Sequence, residues 1–102
     1  MQGGPDSIAQ WPDADYFQEH FELHRSELNV QTAAAYDRSA RATIRAGRRF
    51  TYTDRPSGET RVGYYDARTR RFTALSPDER RIITHFRPDD PYYARRRPDS
   101  TY

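Results

Sequence analysis

The chain has 102 residues, with 17 basic side chains, all of them arginine, against 15 acids and a net charge of +2. That length sets one domain, and the absence of cysteine excludes disulfides, thiolate chemistry and cysteine-ligated zinc. No apolar run approaches the roughly 20 residues of a membrane span. Met1–Pro5 also has neither the basic start nor the apolar stretch of a signal peptide, so a soluble chain is expected, exported only if another segment carries it. Hydrophobic residues make up 34%, and eight Tyr and five Phe are present, so aromatic rings must supply much of the core.

The charge is unevenly spread. Residues 1–40 hold two Arg and seven acids, residues 41–71 nine Arg and three acids, and residues 72–102 six Arg and five acids. The middle of the chain is a basic zone able to face an anionic polymer, or equally a set of solvated hairpin faces. Guanidinium is a planar, always-charged donor suited to phosphate.

Residues 1–13 read as a flexible or loosely docked lead-in, in which Trp11 is the one residue that could pack. A helix is predicted over 14–28, capped by Asp13 or Asp15, with Phe17, Phe21, His24 and Leu28 on one stripe. His20 lies one turn before His24, so the two imidazoles share a helix surface. Thr32 caps a second predicted helix over 33–46, with Tyr36, Ala40, Thr43 and Ile44 inward and Gly47 suited to a left-handed cap. The period then changes from helical to alternating. Strands are predicted over 49–53, 60–65, 71–75 and 81–86, separated by turns rich in Pro, Gly and Asp. Two helices followed by a four-stranded antiparallel meander define an α+β domain with the helices packed on one face of the sheet. The domain is expected to span 14–93, followed by a basic tail over 94–102.

Three groups of residues could carry chemistry. His20 and His24 suit proton transfer near neutral pH. Their spacing is also that of a two-ligand metal edge, but Phe21 stands where a zinc-protease helix has Glu, and no third ligand is evident. No metal or other cofactor is expected. On the last strand, alternation puts Ile82, Thr84 and Phe86 on one face, taken as the inner one, and His85 on the other. The Thr84 hydroxyl could donate to a phosphate oxygen. Arg48, Arg49, Arg61, Tyr64, Tyr65, Arg70 and Arg71 interleave guanidinium and aromatic groups that could grip phosphates and stack bases, with Arg87 beyond the last strand. Each of these residues could equally serve core or solubility.

The order of parts carries a resemblance. Tyr16-Phe17-Gln18-Glu19-His20-Phe21-Glu22-Leu23-His24 is followed by Ala35-Tyr36 and Ala40, then Tyr64-Tyr65-Asp66 with Thr69 and Phe72, then Ile82-Ile83-Thr84-His85-Phe86-Arg87-Pro88. Over about residues 16–93 this resembles the barnase–EndoU–colicin–RelE-like (BECR) nucleases, and within them the toxin and phage-associated C-terminal domains. The resemblance implies a metal-independent endoribonuclease toxin that cuts RNA, tRNA among the candidates, by attack of the ribose 2′-hydroxyl. Carried over residue by residue, it implies catalytic roles for His24 with His20 beside it, for Arg61 or Arg71, and for Thr84. Arg25 stands where the family commonly has Gly, and Tyr64 where a basic residue often precedes the Tyr-Asp pair, which leaves the choice of arginine open. The resemblance further implies a monomer delivered into a target cell's cytoplasm and restrained in the producer by an acidic immunity protein. A non-catalytic RNA- or protein-binding module, or a phage structural accessory, would use the same fold.

Overall fold

A computed structural model of the chain describes residues 3–88. Its elements are α1 (Pro5–Ile8), α2 (Ala14–Leu28), α3 (Ala33–Ala46), β1 (Arg48–Thr53), β2 (Thr60–Asp66), β3 (Arg71–Leu75) and β4 (Ile82–Phe86). The strands form one antiparallel sheet in the order β1-β2-β3-β4, so every connection is a hairpin and β1 and β4 are the edges. The domain is therefore the α+β layout that the periodicities imply, with its helices on one face of an open sheet.

Local chemistry explains the two long helices. Asp13 accepts from the Tyr16 N–H and Thr32 from the Ala35 N–H, each satisfying a donor that the first helical turn leaves unpaired. At the end of α2, Asn29 takes the left-handed conformation (φ 55°) and its N–H returns to the Arg25 and Ser26 carbonyls. Gly47 does not play the matching part after α3. It is extended at φ −81°, ψ 161°, and it is required for space: a Cβ there would lie 2.5 Å from the Thr43 carbonyl oxygen and 3.1 Å from the Tyr65 backbone.

Residues 5–11, read from sequence as a lead-in, are docked onto the domain. Arg41 on α3 donates to the Asp6 and Ala9 carbonyls and pairs with Asp37, while the Trp11 indole donates to the same Asp37 carboxylate. Ala9 is wholly buried in the cluster of Ile44, Val62, Leu75 and Ile82. Gln10 makes a parallel bridge to Arg81, with its N–H on the Arg80 carbonyl and its carbonyl accepting from the Ile82 N–H.

The α2 stripe divides in two. Phe21 and Leu28, flanked by Phe17, pack on Tyr36 of α3. Tyr16, His20, His24 and Glu27 form the adjacent stripe, and its two ends follow the outer edge of β4. There the Tyr16 hydroxyl donates to the Ile83 carbonyl and Glu27 accepts from the Arg87 N–H. Between them the buried Tyr36 hydroxyl donates to the His85 carbonyl at 2.6 Å. The polar edge of β4 is thereby closed by helix side chains, which removes a template for further strand pairing.

Alternation in β4 is broken by a register shift where Leu75 meets Ile82. Ile82 and His85 consequently face the helices. Ile83 and Phe86 join the cluster on the opposite face, and Thr84 pairs there with Ala74. This corrects the strict two-residue reading: Thr84 is not on the helix-covered face, and Ile82 is.

Tyr36→Phe leaves the buried His85 carbonyl without a partner while keeping the ring. We expect it to cost about 1–3 kcal/mol, measured as a shift in urea midpoint with an unchanged slope.

Candidate functional site

The candidate site is the strip where α2 runs alongside β4. Four aromatic rings line it in succession. Tyr16 and His20 stack at 4.3 Å between centroids, His20 and His24 are 6.1 Å apart, and His24 stacks on Phe86 at 5.5 Å. Tyr16 is fixed at Ile83 and His24 at Phe86. The rise of about 1.5 Å per helical residue against about 3.3 Å per strand residue then sets His20 level with the middle of β4.

Both imidazoles are held by Nδ1. In His20 it contacts the Tyr16 carbonyl at 3.0 Å, and in His24 the Glu27 carboxylate at 3.2 Å. A carbonyl or carboxylate at Nδ1 selects the tautomer with its proton there and presents Nε2 as the acceptor. The His24 side chain is only 16% exposed, and Glu27 ties it to the Arg87 backbone as well.

Arg61 stands on β2, two strands in from that strip. It shares the Thr84 face of the sheet, and its guanidinium acts electrostatically on the Tyr16 phenol, as does Arg81. Burial raises the Tyr16 pKa and these cations oppose the rise. Arg61 pairs with Asp54 at 3.3 Å, yet its Nε is buried with no hydrogen-bond partner. A buried unpaired donor beside a carboxylate pair is an anion-seeking group.

Arg71 is placed elsewhere. Its Nη1 donates to Ser39 Oγ at 2.7 Å and its Nη2 to the Leu28 carbonyl at 2.9 Å, on the helix side of the sheet. Ser39 in turn donates to His85 Nε2 at 2.8 Å, and His85 Nδ1 donates to the Phe72 carbonyl at 3.0 Å, with Thr73 Oγ1 alongside. Thr73 passes its own proton to the Ala40 carbonyl. Every polar group in this chain is satisfied, and His85 is wholly buried. Burial holds its pKa down to about 3, with Arg71 and His24 adding to the effect against the Phe72 bond.

The other anion-binding candidates divide between two places. Arg48, Tyr65, Arg70 and Arg87 gather at the end of the sheet where β1 starts and β4 finishes, the end that also holds His24. Arg49 and Tyr64 both bond Glu79, and burial with that carboxylate pushes the Tyr64 hydroxyl up to about 12. The outer face of α2 presents an open depression between Asp15, Gln18, Glu19, Glu22 and Leu23, whose acids repel a polyanion.

Sequence reasoning missed Tyr16 and Glu27, although each lies one helical turn from a histidine it holds. Among the described residues no three His, Asp or Glu side chains converge to hold a metal, and no helix is long and apolar enough to cross a membrane. Comparison with protein-family models, curated proteins and solved structures finds no match.

Two outcomes follow from the buried polar chain. Arg71→Gln removes the Leu28 and Ser39 contacts, so it should lower stability by about 1–3 kcal/mol in denaturant titration. The second concerns pH. An unfolded histidine protonates near 6.5, whereas folded His85 resists protonation down to about 3. Its contribution to stability is therefore complete above pH 6.5 and falls as pH drops toward 3, by at most ~1.4 kcal/mol per unit. Melting curves between pH 7 and 5 should show this slope, and His85→Gln should flatten it.

Proposed function

We propose that this domain is a metal-independent endoribonuclease that cuts RNA by internal transesterification. The observation that carries this reading is the pairing of His20 and His24 alongside β4, with the unpaired Arg61 donor acting on Tyr16 at the end of the same helix stripe. Two imidazoles presenting Nε2, a hydroxyl and an orphaned guanidinium donor are the groups that phosphodiester cleavage uses without a metal. His20 Nε2 takes the proton from the ribose 2′-hydroxyl as the 2′ oxygen bonds to phosphorus. The bond from phosphorus to the 5′ oxygen breaks, and His24 acts in its imidazolium form, its Nδ1–H held by Glu27 and its Nε2 proton passing to that leaving oxygen. Arg61 carries the charge that builds on the nonbridging oxygens, and Thr84 donates to one of them. The products are a 2′,3′-cyclic phosphate and a free 5′-hydroxyl.

In this reading Arg48, Arg70, Arg87 and Tyr65 hold the flanking strand, and a structured RNA such as tRNA, with unstacked loop bases, is the substrate class. Arg71 belongs to the scaffold. A chain that cuts RNA needs restraint in the cell that makes it. An acidic protein covering the arginine end of the sheet supplies that restraint, which is the arrangement of a delivered antibacterial toxin with its immunity partner. A binding module that grips RNA without cutting it is the second reading, supported by the same arginine end.

The test is total bacterial RNA incubated with the purified chain in excess EDTA. The wild type should give discrete fragments with cyclic phosphate ends. His20→Ala should slow cleavage by about 10²–10⁴-fold and Arg61→Ala by about 10²–10³-fold. RNA that is bound with steep salt dependence yet stays intact assigns the binding module instead.

A further inference from the structure

Arg49 and Tyr64 lie away from the strip beside β4, yet both meet at one carboxylate. Arg49 Nη2 donates to Glu79 Oε2 at 3.2 Å, and the Tyr64 hydroxyl donates to Glu79 Oε1. Glu79 comes from the turn between β3 and β4, and there it takes the left-handed conformation at φ 59°. Glycine adopts that conformation freely, whereas in glutamate the Cβ crowds the following carbonyl oxygen. The turn itself does not need the Glu79 side chain. Ser76 Oγ donates to Asp78, which also accepts from the Arg80 N–H. The Arg81 N–H donates to Ser76 Oγ, and the Glu79 N–H closes on the Ser76 carbonyl. The ion pair adds little stability either, because the Arg49 side chain is 42% exposed and that of Glu79 21%. A side chain held on a strained backbone without a local structural need points to the groups that it covers.

We propose that Arg49 and Tyr64 form a phosphate site that the chain's own Glu79 occupies, so that the β3–β4 turn is a built-in competitor for the ligand. Guanidinium and hydroxyl groups are donors that hold phosphate oxygens, and a carboxylate offers them the same kind of charged acceptor. The Tyr64 ring packs with Ile44, Val62 and Leu75, on the helix side of the sheet, and its hydroxyl is what reaches Glu79. Burial and the Glu79 contact push that hydroxyl up to about 12, so it remains a donor at neutral pH. The same turn borders a recess of about 420 Å³ lined by Ser76, Pro77, Asp78, Arg80 and Arg81. Its two arginines draw an anion toward the turn, and Asp78 opposes them there. As a phosphate takes the two donors, the Glu79 side chain swings into solvent, while the Ser76 and Asp78 bonds keep the turn closed. The site is separate from the histidine strip and stands whether or not the domain cuts RNA.

The test uses the full chain and two probes, inorganic phosphate and a short oligothymidylate, which has no 2′-hydroxyl and so cannot be cut by transesterification. Glu79→Gly removes the competitor and the strain together. It should bind inorganic phosphate about tenfold more tightly than the wild type, read from the amide shifts of Arg49 and Tyr64. A gain for both probes assigns a strand phosphate. The log affinity for oligothymidylate then falls more steeply with log salt, by about 0.7 for one added contact. A gain for inorganic phosphate alone assigns a free phosphate group. Asp78→Asn removes the same charge from the same turn and should raise neither affinity. Glu79→Gly/Tyr64→Phe should lose most of the gain. The proposal is overturned by no gain in Glu79→Gly, by an equal gain in Asp78→Asn, or by a gain that survives Tyr64→Phe. Should Glu79→Gly fail to fold, Glu79→Gln, which keeps the shape and loses the charge, is read in the same way.

Discussion

An edge strand exposes a row of carbonyls and amides that must be hydrated, paired or covered, and in this domain the outer edge of β4 is covered from end to end. Gln10 pairs with its start, Tyr16 donates to the Ile83 carbonyl, Tyr36 donates to the His85 carbonyl, and Glu27 accepts from the Arg87 N–H. Apolar contact alone would let α2 slide or roll along the sheet. Hydrogen bonds at both ends of α2 fix its height and rotation against one strand. The histidine stripe inherits that precision, because Tyr16, His20, His24 and Glu27 lie on the same face of the helix.

A second polar system locks α3 to the sheet. Arg71, Ser39, His85 and Thr73 form a directional chain between helix carbonyls and strand carbonyls, through a layer that is otherwise apolar. Such a chain is stabilising only if each member is satisfied, since a lone buried donor or acceptor costs more than an apolar residue in its place. Its members are complete here, and the neutral state of His85 is part of that completeness. The contrast with Arg61 is informative. One half-buried arginine has its donors spent on the scaffold and the other has a donor left over, and only the second lies on the Thr84 face of the sheet.

The helices and strands were legible because local signals and periodicity agree. Asp13 and Thr32 mark the two starts, and the change from a helical to an alternating period marks β1. The α1 helix was not legible: four residues carry no periodicity, and its anchor is an arginine more than thirty residues away. Nor was the shift in β4, whose cause is the pairing with Leu75 and not anything in the Ile82-Ile83-Thr84 run itself. Thr84 was consequently assigned to the wrong face. In the candidate site, the four-residue spacing of the histidines revealed their shared surface. The roles of Tyr16 and Glu27 depend on what α2 packs against, and no spacing rule contains that.

The bridge between Gln10 and the start of β4 joins segments about seventy residues apart. A ribosome delivers α2 and α3 long before β4, and helices of 15 and 14 residues are marginal on their own in water. Until the last strand emerges, Tyr16, Tyr36 and Glu27 have no edge to bind and α1 has no strand to meet. Contacts of such long sequence separation also slow the final closure, because the loop entropy is lost before the bonds form. A nascent or truncated chain that stops short of β4 thus holds the histidines on an unanchored helix. The strip that the histidines share with the β4 edge comes into being only after that strand has left the ribosome.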